Sequence, residues 1–287
     1  MPNTSIRLAA RRLSNICTPL RTVISRGWNT YEIVKFLYAA RRNVGESPGS
    51  APLCPFRVYE MDLDEPVYIM DDEFDFLTDT GRVLNGDWDR NISLFEETPR
   101  FESFLAHFER GVDWHDTSYF RDSARDIRRN ESNRYATISE LEAACDRYDR
   151  IYDEIEANGY RTQRELLEAD SARGLGNGGR GFFDLGEQAV VRHEIAMNVA
   201  GDGTFLLNDG RHRLAIALLL DLDRVPVRIV VRHAEWQRLR NRLYESAIDR
   251  ASGTWDRDAA ENILSEHPTS VTHGLEHPDL QALLPIE

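Results

Sequence analysis

The stretch from residue 190 to residue 244 constrains the fold of this chain more than any other segment. Val191–Val199 and Thr204–Leu207 are apolar runs of strand length, and Gly201-Asp202-Gly203 stands between them. Two strand-like runs joined by a short glycine-containing connection predict a β-hairpin. We therefore expect an antiparallel pair of strands at the start of this segment.

The residues after the hairpin predict a turn, a helix and a further strand. Asn208-Asp209-Gly210 is typical of a tight turn, and Arg211–Leu220 carries its apolar residues at helical spacing. A strand at Val225–Val231 and a basic helix at Trp236–Tyr244 follow. This order of elements predicts an α+β fold, with a mixed-sheet domain at residues 180–250 and a mainly helical N-terminal half packed on it or beside it.

The first turn of the predicted helix contains two arginines and a histidine, Arg211, His212 and Arg213. Free backbone N–H groups and the helix dipole already favour an anion there, so three basic residues need a negative partner. A phosphate is the simplest partner, and Gly210 lets the backbone approach it closely. The alternative is a structural motif in which nearby carboxylates pair with the arginines, namely Asp209, Asp221 and Asp223.

The run FLLNDGRHRLAIALLLDLDRVPVRIVVRH resembles the ParB/sulfiredoxin superfamily, in a form expected of salt-loving archaea. In that superfamily a strand, a G-x-x-R turn and helix, and an xVPVxV strand form a nucleotide site. The resemblance covers residues 190–235, under a fifth of the chain. It implies a ParB/sulfiredoxin-like sheet domain, and it places Gly210, His212 and Arg213 at the phosphate-binding positions.

Position 211 distinguishes the branches of that superfamily. It is cysteine in sulfiredoxins, glutamate in ParB proteins and histidine in the related free-serine kinases with their D-G-H-H-R motif. Arg211 excludes sulfiredoxin chemistry, which needs the cysteine nucleophile, and departs from the ParB glutamate. Asp209 matches the aspartate of the kinase-like form.

The resemblance therefore implies a protein that binds ATP or CTP with Mg²⁺ at residues 209–213. Its most concrete form is a phosphotransferase acting on a small hydroxylated acceptor, with Gly210, Arg211, His212 and Arg213 on the phosphates. Asp209 is the predicted metal ligand or proton acceptor, and Glu194 is the second candidate catalytic residue. An exposed residue at the sheet edge is the alternative for Glu194.

Two further functions remain open at this point. One is a DNA-associated ParB-like regulator or nuclease, although no helix-turn-helix is evident after the motif. The other is a non-catalytic scaffold that retains only the fold.

The N-terminal part of the chain differs from the rest in charge. Residues 1–42 hold eight basic residues and one acidic residue, a net charge of +7, so the remainder carries −21. Residues 1–43 are predicted to form a basic helical arm, and two interpretations of its charge stay open. In one, residues 1–42 contact nucleic acid, an anionic membrane surface or the acidic body of a partner. The alternative is that these helices pack on the protein's own acidic body.

Residues 56–170 are predicted to form a mainly helical region with short strands, and residues 251–287 a C-terminal tail.

The overall composition indicates adaptation to concentrated salt. The net charge is −14, and lysine occurs once, at Lys35, among 35 basic residues. Three scattered cysteines without a CxxC pair favour a reducing cytoplasm, and no apolar run reaches the length of a membrane span. We expect a cytoplasmic protein that is stable only near molar salt, where the repulsion between its acidic side chains is screened.

The glycine-rich residues 173–186 predict a surface loop.

Overall fold

A computed structural model describes the chain over seven stretches, with side chains from residue 30 onward: residues 18–44, 50–71, 74–132, 134–169, 190–249, 252–267 and 271–284. The glycine-rich stretch predicted to be a surface loop and the first 17 residues lie outside them. Within the described residues, no helix has both the length and the apolar character needed to cross a bilayer.

A mixed sheet of seven strands forms the centre of the described structure. The strands are β1 (Tyr59–Asp62), β2 (Tyr68–Met70), β3 (Arg82–Leu84), β4 (Ile92–Leu94), β5 (Ile195–Val199), β6 (Phe205–Asp209) and β7 (Arg224–His233). Their order is β1-β7-β5-β6-β2-β4, with β3 paired to the second half of β7. The pairs β5–β7, β2–β6 and β3–β7 are parallel, whereas β5–β6 is the predicted antiparallel hairpin. The α+β class and the mixed sheet are confirmed.

The helices are α1 (Thr18–Asn43), α2 (Pro99–Phe108), α3 (Ser118–Arg129), α4 (Ile138–Asn158), α5 (Gln163–Glu168), α6 (Arg211–Leu219), α7 (Ala234–Ser246), α8 (Arg257–Ser265) and α9 (Pro278–Gln281). Threonine precedes each of α2, α3, α4 and α5, and its hydroxyl oxygen accepts a backbone N–H of the first turn. Such caps satisfy donors that a helix cannot satisfy itself, which explains why these helices begin where they do. Helix α6 has no such cap.

The core joins the helical half to the sheet. Phe104 of α2 and Tyr148 of α4 are buried in the same apolar cluster as Leu214 of α6 and Val227 of β7. The helical half therefore packs directly on α6, and this contact determines the surroundings of the predicted site.

Two segments differ from the sequence interpretation, and a third fits one of its two alternatives. Residues 191–193 form a 3₁₀ turn, so β5 begins at Ile195, later than predicted. The second half of α1 packs on the body through Ile33 and Phe36, as in the alternative to a free arm. The described residues of the predicted tail are also part of the body, because α9 places Asp279 in the interior, fully buried.

Candidate anion-binding site

The turn between β6 and α6 is built on a register shift and a glycine. Asp209 pairs with Ala196 and Leu207 with Met197, so Asn208 is an extra residue on β6. Such a bulge re-aims the residue that follows it, and Asp209 is exposed at the end of the strand. Its Oδ1 accepts the N–H of Gly210 at 2.8 Å.

Gly210 is required by the turn itself. Its φ is +97°, in the left-handed region, and a Cβ placed on it would lie 3.1 Å from the Cα of Ile195. Only glycine adopts this backbone beside a neighbouring strand without strain. The close approach seen in the structure is to β5, whereas the sequence interpretation assigned it to a ligand.

Helix α6 then begins at Arg211 with no side chain capping its first turn. The first N–H groups of an α-helix have no partner within the helix, and they carry the positive end of its dipole. Helices α2, α3, α4 and α5 each have a capping threonine at this place. The N-terminus of α6 is thus suited to an anion.

His212 is buried in an aromatic cluster contributed by the helical half. Its ring stacks on Tyr148 at 4.3 Å between centroids, and Phe104 lies 5.4 Å away. Burial and the charges of Arg134 and Arg100 hold the pKa of His212 well below its ordinary value. His212 is therefore neutral near pH 7 and adds no positive charge to the site. The sequence had suggested instead a positively charged histidine that binds phosphate.

Tyr119 and Tyr148 contact the ring of His212, and their hydroxyls form a closed set of contacts with the hydroxyl of Tyr135. The Tyr119 hydroxyl lies 2.7 Å from that of Tyr135 and 3.3 Å from that of Tyr148, and the last two are 2.9 Å apart. Burial raises the pKa of Tyr148 to about 12. Burial also raises the pKa of Tyr119. The hydroxyls of Tyr119 and Tyr148 therefore remain protonated at neutral pH and add no negative charge to this polar wall.

Two arginines of the helical half lie against this wall. The Cζ of Arg100 is 5.6 Å from the ring centroid of Tyr119, and that of Arg134 is 5.6 Å from the ring centroid of Tyr135. Burial and the neighbouring charges of Arg134 and Arg211 lower the pKa of Arg100. Three guanidinium groups therefore lie close enough to repel one another. Arg100 and Arg134 could not be picked out from the sequence, because neither belongs to a motif.

Arg213 and Glu194 form a second group, separate in its contacts from the aromatic cluster. Arg213 donates to the hydroxyl of Tyr160 at 3.3 Å and to the backbone carbonyl oxygen of His193. Glu194 is buried, and its Oε1 accepts the N–H of Gln163 at 2.6 Å. Burial raises the pKa of Glu194 to about 7, against the effect of Gln163 and the nearby arginines. The exposed-edge alternative for Glu194 is wrong.

Arg228 is buried and is affected by the charges of both Asp209 and Glu194. Ala196 of β5 pairs with Asp209 of β6 on one side and with Arg228 of β7 on the other. Asp209, Ala196 and Arg228 therefore lie side by side across the sheet. Burial lowers the pKa of Arg228 to about 10, and the charges of Asp209 and Glu194 partly offset this. Both predicted catalytic carboxylates are thus close to one buried cation.

No group of three or more potential ligands from His, Cys, Asp and Glu converges within the described residues. Asp209 is the exposed carboxylate at the helix end, which fits only an ion that a ligand's phosphates also hold. In the comparisons with known proteins, no family model, curated protein or solved structure matches the chain. The resemblance to the ParB/sulfiredoxin superfamily remains a prediction.

Proposed function

We propose that this protein binds a nucleoside triphosphate, ATP or CTP, at the N-terminus of α6. The observation that carries the proposal is the uncapped start of this helix after a left-handed glycine, with Arg211 in its first turn. Backbone N–H groups and a guanidinium at one helix end form a combination that favours phosphate oxygens.

Phosphoryl transfer to a small hydroxylated acceptor is the reaction that these residues support best. Asp209 would hold Mg²⁺ together with the phosphates, and the ion would supply neutralising charge. Glu194, with a pKa near 7, is suited to accept a proton from the acceptor, and the charges of both Glu194 and Asp209 act on Arg228. Arg211 would stabilise charge that develops on the transferred phosphoryl group.

The test uses the full chain in molar KCl with ATP and CTP, with and without MgCl₂. Calorimetry should detect saturable binding, and release or transfer of the terminal phosphate should require the metal. Asp209→Asn should keep metal-free binding and lose turnover. Asp221→Asn, which removes the same charge at the opposite end of α6, is the matched control and should change neither.

Binding without turnover would leave a nucleotide-binding regulator and remove the phosphotransferase. If neither nucleotide nor inorganic phosphate binds at millimolar concentration, the site is only a structural junction between β6 and α6.

A further inference from the structure

We infer that the helical half of the chain supplies a second part of this site, in which Arg100 and Arg134 bind the anionic end of the ligand beside Arg211. The identity of the ligand as a nucleoside triphosphate rests on the proposed function. The anion site itself rests on the arrangement of the helical half around α6.

The first observation is the tautomer of His212. The Nη2 of Arg134 lies 3.1 Å from the Nδ1 of His212. A guanidinium has only donors, so Nδ1 must accept and the ring proton must lie on Nε2. Nε2 is buried and has no hydrogen-bond partner among the described residues.

An N–H donor left in this state destabilises the folded protein, because it has lost water without gaining an acceptor. His212 is more than nine-tenths buried, with 8 % of its surface exposed, so the missing acceptor must come to an enclosed place. An oxygen of a bound anion is such an acceptor. It would lie among the arginines whose charges already act on His212.

The second observation is the state of Arg100. Within the described residues, the guanidinium of Arg100 contacts the ring of Tyr119, and no carboxylate is bonded to it. The neighbouring charges that lower its pKa are those of Arg134 and Arg211, which are also cations. Arg134 lies 3.1 Å from His212 and 3.4 Å from the Tyr148 hydroxyl. Burial opposes the charge of Arg134, but its neighbours, which include Asp209, outweigh this and raise its pKa. Like charges gathered at a half-buried place favour a multivalent anion.

The class of ligand follows from the number and shape of these donors. Guanidinium groups donate in a planar fork that matches two oxygens of one phosphate. Arg100 and Arg134 come from α2 and from the loop before α4, whereas Arg211 begins α6. A ligand with several phosphates can contact both sets of donors at once, which a single carboxylate cannot do. We expect the terminal phosphate of a triphosphate on the Arg100 and Arg134 side.

The experiment measures binding of inorganic triphosphate and of ATP to the full chain by calorimetry. Arg100→Gln should weaken both by about tenfold or more, as expected for a lost charged hydrogen bond. Arg110→Gln is the matched control, because Arg110 lies just after the same helix and is exposed, paired with Glu102 at 2.8 Å. It should leave both affinities unchanged.

A spectroscopic measurement separates binding from structural support. In protein labelled with ¹⁵N-histidine, His212 should show the proton on Nε2, and triphosphate should shift Nε2 more than Nδ1. A proton on Nδ1, or a spectrum that triphosphate does not alter, would overturn the inference.

The outcomes also distinguish this inference from the proposed function. If ATP binds the wild-type chain and Arg100→Gln alike, the inference fails and the proposed function stands. A second outcome is that Arg100→Gln weakens the binding of inorganic triphosphate, while ATP binds with the same affinity as orthophosphate. In that case the anion site stands and the nucleotide proposal fails.

Discussion

Two arginine clusters in this protein differ in whether a carboxylate lies among the guanidinium groups. Next to α9, Arg232 donates to both oxygens of Asp279 at 2.7 and 2.8 Å, and Trp236 donates at 2.9 Å. Arg240 completes the group with its Nε 3.2 Å from the same carboxylate, and the ionic groups are at most 1 % exposed. Around His212, in contrast, Arg100 and Arg134 contact aromatic rings, a neutral imidazole and a tyrosine hydroxyl.

The difference separates a structural network from a candidate ligand site. A buried carboxylate between two guanidinium groups satisfies all three and leaves little for a ligand to add. Arg100 contacts an aromatic ring, has two cations among its neighbours and is bonded to no carboxylate of the described residues, so it retains an unmet demand for negative charge. We therefore assign the cluster at Asp279 to fold stability and the cluster at His212 to binding.

The largest expected effect is on stability at the balanced cluster. Burial opposes ionisation of Asp279, but Arg232 and Arg240 outweigh it and hold its pKa well below its usual range. Asp279→Asn would leave two buried cations without a counter-charge, and should lower the free energy of unfolding by about 3–5 kcal/mol. Denaturant unfolding in molar KCl measures this. Glu102→Gln, which breaks an exposed pair, should cost no more than about 1 kcal/mol.

Glu194 gives a second, pH-dependent test, because it is a buried carboxylate with one oxygen, Oε2, that has no partner among the described residues. Its folded pKa of about 7 lies above the ordinary 4.5, so the folded state keeps a proton that the unfolded state loses between these values. Stability should fall as pH rises from about 4.5 to 7. Glu194→Gln removes this loss and should be more stable than wild type by about 3 kcal/mol at pH 8.

The two proteins should converge in stability near pH 4. Glu165 provides the opposite control, since hydrogen bonds from Thr162 lower its pKa. Glu165→Gln should therefore be less stable than wild type above pH 4.5. A Glu194 variant that is destabilised at every pH would show that the carboxylate is ionised and paired.

Gly210→Ala tests the geometry that exposes the start of α6. The substitution forces a side chain into a left-handed backbone and against Ile195, so it should lower the free energy of unfolding by about 1–3 kcal/mol. Gly111 also has positive φ, +68°, but a Cβ there meets no atom within 4 Å. Gly111→Ala should therefore cost less, about 1 kcal/mol. Equal losses in denaturant unfolding would mean that contact with β5 does not matter.

The smallest expected effect compares one arginine from each cluster in the absence of ligand. Arg100→Gln removes a repelled cation and should change the free energy of unfolding by less than about 1 kcal/mol. Arg240→Gln disturbs a satisfied network and should cost more. A large loss for Arg100→Gln would place Arg100 in the structural class and contradict the contrast drawn between the clusters.

The sequence predicted what depends on neighbours along the chain. The hairpin, the turn at Gly210 and α6 follow from local periodicity and turn chemistry, and each is present, although β5 begins only at Ile195 and β6 continues to Asp209. The surroundings of His212 could not be predicted in this way. They depend on Phe104 and Tyr148, which lie more than 60 positions earlier and reach His212 only through tertiary packing.

The same limit explains the other differences. Asp279 looked like part of a tail because its partners, Arg232 and Arg240, are distant in sequence and invisible to local patterns. Arg100 and Arg134 were two among many arginines in an arginine-rich chain. Glu194 was the exception, because its position beside a predicted strand near the turn was sufficient to single it out as a candidate.

The most direct test of the central claim is the unfolding free energy of the full chain measured against inorganic triphosphate concentration in molar KCl. A ligand that binds only the folded state stabilises it by about 2.7 kcal/mol at a hundred times its Kd. We predict a logarithmic rise for wild type and for Arg110→Gln, displaced to higher concentration for Arg100→Gln. An unfolding free energy that stays constant up to tens of millimolar triphosphate would contradict the assignment of the His212 cluster to ligand binding.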